Sequence, residues 1–326
     1  MSKIDRPVIV LGAPRSGTTI LRHCLALHPD LWHLPGESHE VLEGPFHPGA
    51  KGYESNRVTA EDLDDALAGQ LRSAFTARSI NFNVVSKDPT RTLRANSISA
   101  RVAAKITTRI DGARSMKQRP AEIRFLEKTP KNMLRVPMLA KLFPDAHFIH
   151  LARNAPSNIR SLIGGWRAVD HFGPITRERF ARSGYPIAAQ LGLADYAGES
   201  WKFTLVPGWR KLQGQRLADV AAWQYFQCNR IALGDLNAID PARVRRITHE
   251  AFVQEPVTVL RELFAWADLA PSPVAEKFAG ELPRVNAVPG SATPVASQPA
   301  GYVDEATAAI NAIVGMDQLL ADLGYA

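Results

Sequence analysis

Four consecutive apolar residues, Val8 to Leu11, run straight into the stretch Gly12-Ala13-Pro14-Arg15-Ser16-Gly17-Thr18-Thr19, after which Ile20, Leu21, Cys24 and Leu25 recur at helical spacing. This order predicts a buried strand, a glycine-bracketed turn and an amphipathic helix. Short β-rich runs at Asn83 to Ser86, Ile123 to Glu127, His147 to Leu151 and Val244 to Thr248 predict further strands, separated by longer helical patterns. Thr59 is placed to cap a helix running to Arg78, with Glu61, Asp62, Asp64 and Asp65 near its positive end. Leu217, Val220, Ala221, Cys228 and Ile231 share one face of another helix, and Pro256 opens one that turns Leu260, Leu263, Phe264 and Ala267 inward. Strands alternating with helices predict an α/β fold, a mostly parallel sheet flanked by helices.

Two segments break these patterns. Leu34 to Tyr53 holds four glycines, three prolines and two of the nine histidines, and reads as an exposed functional loop. Leu282 to Gly301, rich in Pro, Ser and Ala, reads as either a lid or a linker. The 326 residues are taken as one domain, 1–326, with an acceptor-binding insertion around 166–210 and the lid or linker around 282–301. The insertion is dense in aromatics, Trp166, Phe172, Phe180, Tyr185, Tyr196, Trp201, Phe203 and Trp209, which line an apolar pocket or form a satellite core.

Composition narrows the class. A hydrophobic content of 45% suffices for a core, no apolar run approaches a membrane span, and the N-terminus lacks a signal-peptide core, so a cytoplasmic protein is expected. The net charge of +7 comes from scattered basic residues with no aromatic interleaving, which argues against nucleic acid and for a polyanionic small molecule. Cys24 and Cys228 have no metal-ligand spacing and are expected as buried, reduced thiols; His33, His39 and His47 fit no compact zinc pattern, so no metal is expected.

The turn at Gly12 to Thr19 carries the chemistry. A strand, a glycine-rich loop and a helix start aim backbone N–H groups and the positive helix end at one point, where an anion belongs. Gly12 and Gly17 match the phosphate-loop pattern GxxxxGK[ST], but Thr18 stands where lysine is required and the positive charge has moved to Arg15. The loop therefore resembles the 5′-phosphosulfate loop of sulfotransferases that use 3′-phosphoadenosine 5′-phosphosulfate (PAPS). That resemblance implies a three-layer α/β sandwich like the P-loop nucleotide kinases, with Arg15, Ser16, Gly17, Thr18 and Thr19 on the donor's 5′ end and no metal. Arg153 at a strand end and Ser161 eight positions later resemble the family's 3′-phosphate pair.

Phe125 to Asn132, with Glu127-Lys128-Thr129-Pro130, resembles a strand end in Golgi and bacterial sulfotransferases, which implies that Lys128 stabilises charge on the departing nucleotide; Lys131 is the alternative. His28 to His39 resembles the segment after the first helix in heparan sulfate 3-O-sulfotransferases, and tyrosylprotein sulfotransferases carry a base glutamate there too. The match puts Glu37 at the catalytic base, with His39 as the alternative used by cytosolic aryl and alcohol sulfotransferases. Arg245 to Pro256 resembles the family's late strand and following segment, with His249 and Ala251 departing from it. The implied activity is transfer of the sulfuryl group from PAPS to a hydroxyl of a small-molecule, lipid or glycan acceptor, leaving 3′-phosphoadenosine 5′-phosphate (PAP). The rival readings are a nucleotide kinase or hydrolase of related fold, and a catalytically silent nucleotide binder.

Overall fold

The computed structural model describes residues 2–85, 119–167, 184–282 and 301–325. Strands β1 (Lys3–Ile4), β2 (Val8–Leu11), β3 (Leu31–His33), β4 (Glu122–Lys128), β5 (His147–Ala152) and β6 (Val244–Thr248) form one sheet in which every strand pair is parallel. Its order is β1–β4–β2–β5–β6, with β3 also paired to β4. The register sets Val10 opposite Lys128 and Leu11 opposite His150, so β2, β4 and β5 end side by side. The loops that follow them emerge at one edge.

Strand alternation shows that both faces of the sheet's central strands are buried. Ile9, Leu11, Phe125 and Phe148 join one core, whereas Val8, Val10, Leu126 and Ile149 join the other. The helices in chain order are α1 (Thr18–Ala26), α2 (His39–Leu42), α3 (Asp65–Arg78), α4 (Phe82–Val85), α5 (Val136–Leu142), α6 (Ala155–Arg167), α7 (Leu217–Leu236), α8 (His249–Gln254), α9 (Pro256–Trp266), α10 (Pro273–Gly280), α11 (Gly301–Asn311) and α12 (Met316–Asp322). The first core is covered by α3, α5, α6, α7 and the pair α11 and α12; the second by α1, α8, α9 and α10. This is the three-layer arrangement expected. Because α1 leaves β2 toward one face and α6 leaves the neighbouring β5 toward the other, the crossover direction reverses where the two strands end.

Most predicted elements are present, with β2, β4, β5 and β6 within a residue or so of the expected bounds. Leu260, Leu263, Phe264 and Ala267 are buried along and just beyond α9, and Cys24 and Cys228 are free and buried. Two expectations fail. The strand expected at Asn83 to Ser86 is instead the single helical turn α4, whose Asn83 side chain donates to the Leu27 carbonyl and whose Asn83 N–H is capped by Asn81 Oδ1; Ser86 lies outside the described residues. The helix expected from Thr59 is split. Thr59 caps one 3-10 turn, Ala60–Asp62, then Leu63 is extended and buried, and Asp64 caps α3 by accepting from the Leu67 N–H at 2.7 Å. A buried Leu63 anchors the kink, which a helical repeat cannot express.

The segment read as an exposed loop, Leu34 to Tyr53, is partly core. Leu34, Ser38, Val41, Leu42 and Pro48 are buried and α2 lies within it. Of the aromatics after α6, Trp166, Tyr185, Trp201 and Trp209 are fully buried, with Trp166 edge-on to Trp201 at 5.3 Å and Trp201 tilted against Trp209 at 5.7 Å. These four are part of the first core itself; Phe172 and Phe180 lie outside the described residues, as do positions 283–300 of the expected lid or linker.

Candidate active site

Gly12 to Thr19 folds as a cradle at the end of β2. A Cβ on Gly12 would meet Thr18 Cγ2 at 2.5 Å, Ser16 Oγ at 2.6 Å and the Leu151 carbonyl at 2.9 Å, so only glycine closes this turn. Gly17 takes φ +98° directly before α1 and accepts from the Ile20 N–H at 3.1 Å. No side chain caps α1 and no carboxylate stands in its first turn, which leaves its N-terminal N–H groups and dipole for an outside anion. Arg15 also has positive φ, +71°, and its Nε donates to Ser161 Oγ at 3.2 Å. The loop arginine therefore lies on the residue expected at the 3′-phosphate.

Arg153 follows β5 and joins the same cluster. Its Nη1 donates to the Arg15 carbonyl at 2.9 Å, while Nε and Nη2 are buried without a partner; Ser16 Oγ is likewise buried and unpartnered. Burial lowers the Arg153 guanidinium, Glu250 opposes that, and Arg15 and Arg160 lower it further. Arg15, Arg160 and Glu250 thus all act on Arg153, and its unpaired donors are a demand for anionic oxygens.

Lys128, at the end of β4, is 5% exposed, yet its ammonium is held on two sides: it donates to Glu37 Oε1 and, at 3.3 Å, to Thr19 Oγ1. On the other side of the carboxylate, His39 Nε2 lies 2.9 Å from Glu37 Oε2. Burial works to raise the Glu37 carboxyl, but Lys128 and His39 outweigh it and hold the group well below the usual carboxylate range. Glu37, His39 and Lys128, from two separate motifs, are in this way brought together with the loop from Gly12 to Thr19. Lys131 is elsewhere: it donates to Tyr185 Oη at 2.6 Å and pairs with Glu43 at 3.3 Å.

Three residues or contacts at this site escaped sequence reasoning. The imidazole of His249, at the start of α8, packs so closely on Gly17 that any Cβ there would collide with it. Glu250 accepts from the Asn154 N–H at 3.2 Å and the Asn154 amide, and from Tyr325 Oη at 2.6 Å, which docks the C-terminal helices beside Arg153. The departure at His249 was the one visible signal; nothing in spacing pairs Tyr325 with Glu250. Among the described residues no group of three or more His, Cys, Asp or Glu is placed to hold a metal, and no helix is long and apolar enough to cross a membrane.

The chain is similar over its whole length to several solved sulfotransferases. One from Mycobacterium avium, STF9, is 17% identical, with 98% of this chain and 76% of that one covered and a TM-score of 0.47. One from Alicyclobacillus acidocaldarius is 15% identical, covering 98% and 97% at 0.46. The mouse sulfotransferase SULT7A1, solved with PAP, is 12% identical, covering 97% and 83% at 0.40. No curated protein matches the chain. The match that decides the matter is to the sulfotransferase family itself, over residues 7–182, more than half of the 326 residues and inclusive of the loop from Gly12 to Thr19, Glu37, Lys128, Arg153 and Ser161. The chain therefore belongs to the sulfotransferase family.

Proposed function

We propose that this protein transfers a sulfuryl group from PAPS to a hydroxyl of a small-molecule, lipid or glycan acceptor. The observation that carries the reading is the position of Lys128, whose ammonium contacts both the carboxylate of Glu37 and the hydroxyl of Thr19 on the nucleotide loop. A proton acceptor, a cation and an anion cradle therefore meet at one atom, as in-line transfer requires. The buried, unpartnered Ser16 Oγ and Arg153 Nε and Nη2 fit the phosphate oxygens of such a donor. Bound there, PAPS supplies an activated sulfur whose bond to the bridging oxygen breaks as the acceptor oxygen attaches.

Each residue then has a distinct task. Arg15, Ser16 and the N–H groups of Gly17 to Thr19 hold the 5′ end, and Arg153 with Ser161 holds the 3′-phosphate. Glu37 takes the acceptor's hydroxyl proton, while Lys128 neutralises charge gathering on the leaving side. His39 orients the far oxygen of Glu37. The pairing of Lys128 with Glu37 must loosen before either works, because a carboxylate held by an ammonium is a poor base. The acceptor would enter over Leu34 to Tyr53 and the segment after α6, where Phe203 and the Arg15 side chain both lie against Gly165.

The test is binding before turnover. By calorimetry without metal, PAP should bind far more tightly than adenosine 5′-phosphate, and Arg153→Ala should narrow the gap by about 1.5–3 kcal/mol, the worth of hydrogen bonds to a charged group. Equal affinity for the two nucleotides removes the 3′-phosphate site; magnesium-dependent ATP turnover instead supports the kinase reading; tight PAP binding without transfer to any acceptor supports a silent binder.

A further inference from the structure

Glu127 is the one ionisable group at the end of β4 that the mechanism does not use, and its surroundings are unusual. It is 1% exposed, with burial pushing its carboxyl up. Its Oε1 accepts from Ser38 Oγ at 2.6 Å, from Thr129 Oγ1 at 2.7 Å and from Asn132 Nδ2 at 3.0 Å. The Ser38 N–H in turn donates to Thr129 Oγ1 at 2.8 Å. Ser38 directly follows Glu37, and Glu127 and Thr129 flank Lys128. The four-residue cluster therefore stitches the backbone on which Glu37 stands to the backbone on which Lys128 stands. At the loop's other end Arg22, from α1, donates to the Leu34 carbonyl, so the span from Leu34 to Ser38 is pinned at both ends. A buried carboxylate is an expensive way to stabilise a fold, and packed apolar groups of the same volume commonly do as well, which directs attention to what the charge positions.

We propose that Ser38, Glu127 and Thr129 are positioning residues that fix the carboxylate of Glu37 against Lys128. The proposal rests on the reading of Glu37 and Lys128 as base and cation, and its test does not require the acceptor. The charged groups in contact with Glu37 are Lys128 from β4 and His39 at the start of α2, with Arg22 from α1 and Lys131, seated on Glu43, acting on it from farther off, and none of the four is substituted in the variants below.

The experiment follows the Glu37 carboxyl by carbon-13 NMR in full-length protein labelled at glutamate, with the resonance assigned by its loss in Glu37→Gln. In Ser38→Ala, the Glu37 midpoint should rise from well below the carboxylate range toward about 4.3, the value of an unconstrained glutamate. Thr129→Val, which keeps shape but removes the hydroxyl, should do the same and serves if Ser38→Ala does not fold. Ser38→Thr should retain the wild-type midpoint, and PAP affinity should be unchanged throughout. A midpoint unmoved in both hydroxyl-deleted variants, or equally raised in Ser38→Thr, overturns the proposal. Failure of the underlying reading looks different: Glu37→Gln would then transfer at full rate whatever the titration shows.

Discussion

Glu37 is where the site's demands concentrate, since it must be ionised, close to Lys128 and free to take a proton. Glu37→Gln keeps its shape and loses its basicity, so turnover with an alcohol acceptor should fall by roughly 10²- to 10⁴-fold while PAP affinity holds, as a rate assay and calorimetry would show. His39→Ala should be milder, because His39 touches only the far oxygen of Glu37. The reverse ranking would move the base to His39. Gly17 offers a second residue-scale prediction. An alanine there meets both the positive φ, at about 1–2 kcal/mol for a left-handed L-residue, and the His249 ring, so Gly17→Ala should lower the melting temperature and weaken PAP binding together. Wild-type affinity in that variant would mean that His249 moves aside freely.

At the scale of elements, the contrast between α1 and the segment after α6 is instructive. The strand–loop–helix unit from β2 to α1 was legible because its apolar run, its two glycines and its helical repeat are all local. The segment carrying Trp201 was not, since eight aromatics without a period are equally compatible with a pocket and a core. Burial decides it: Trp201 is 0% exposed, its Nε1 donates to the Thr204 carbonyl at 3.1 Å, and it sits between Trp166 and Trp209. Trp201→Ala should thus cost about 3–5 kcal/mol of stability in denaturant unfolding. A loss below about 1 kcal/mol would return the cluster to the surface. The missed helix break at Leu63 has a similar origin, because acidic residues run through both the 3-10 turn and the start of α3 and the sequence marks no boundary between them.

Across the whole molecule, buried charge is more abundant than composition foretold. Lys131, Arg135 and Glu43 form a network with Tyr185 beneath the loop from Ser38 to Tyr53. Burial lowers Lys131 to about 8 despite Glu43. The unfolded chain keeps its lysine protonated up to about 10.4, so between these values it binds more protons than the folded protein, and stability contributed at this residue rises with pH. Relative to Lys131→Met, wild-type stability should therefore increase from pH 8 toward 10, as denaturant midpoints would record; a flat difference would place Lys131 in water. Arg57, donating to Asp235 at 2.7 Å, and Tyr325 on Glu250 likewise tie remote parts of the chain together.

What the sequence determined by itself was local and periodic: the parallel α/β class, the strands that end at the site, the glycine-bracketed turn into α1, and the candidacy of Glu37, Lys128, Arg153 and Ser161 as site residues. Apolar runs and helical repeats are properties of neighbouring residues, and motif spacing survives in one dimension. Only the tertiary structure decided that Lys128 touches both Glu37 and Thr19, that Arg15 lies on Ser161, and that His249 closes on Gly17. Those contacts join residues between 91 and 232 positions apart that end or follow different strands of one sheet. Sheet order and the direction in which each crossover helix leaves bring them together, and neither is written in any short stretch of the chain.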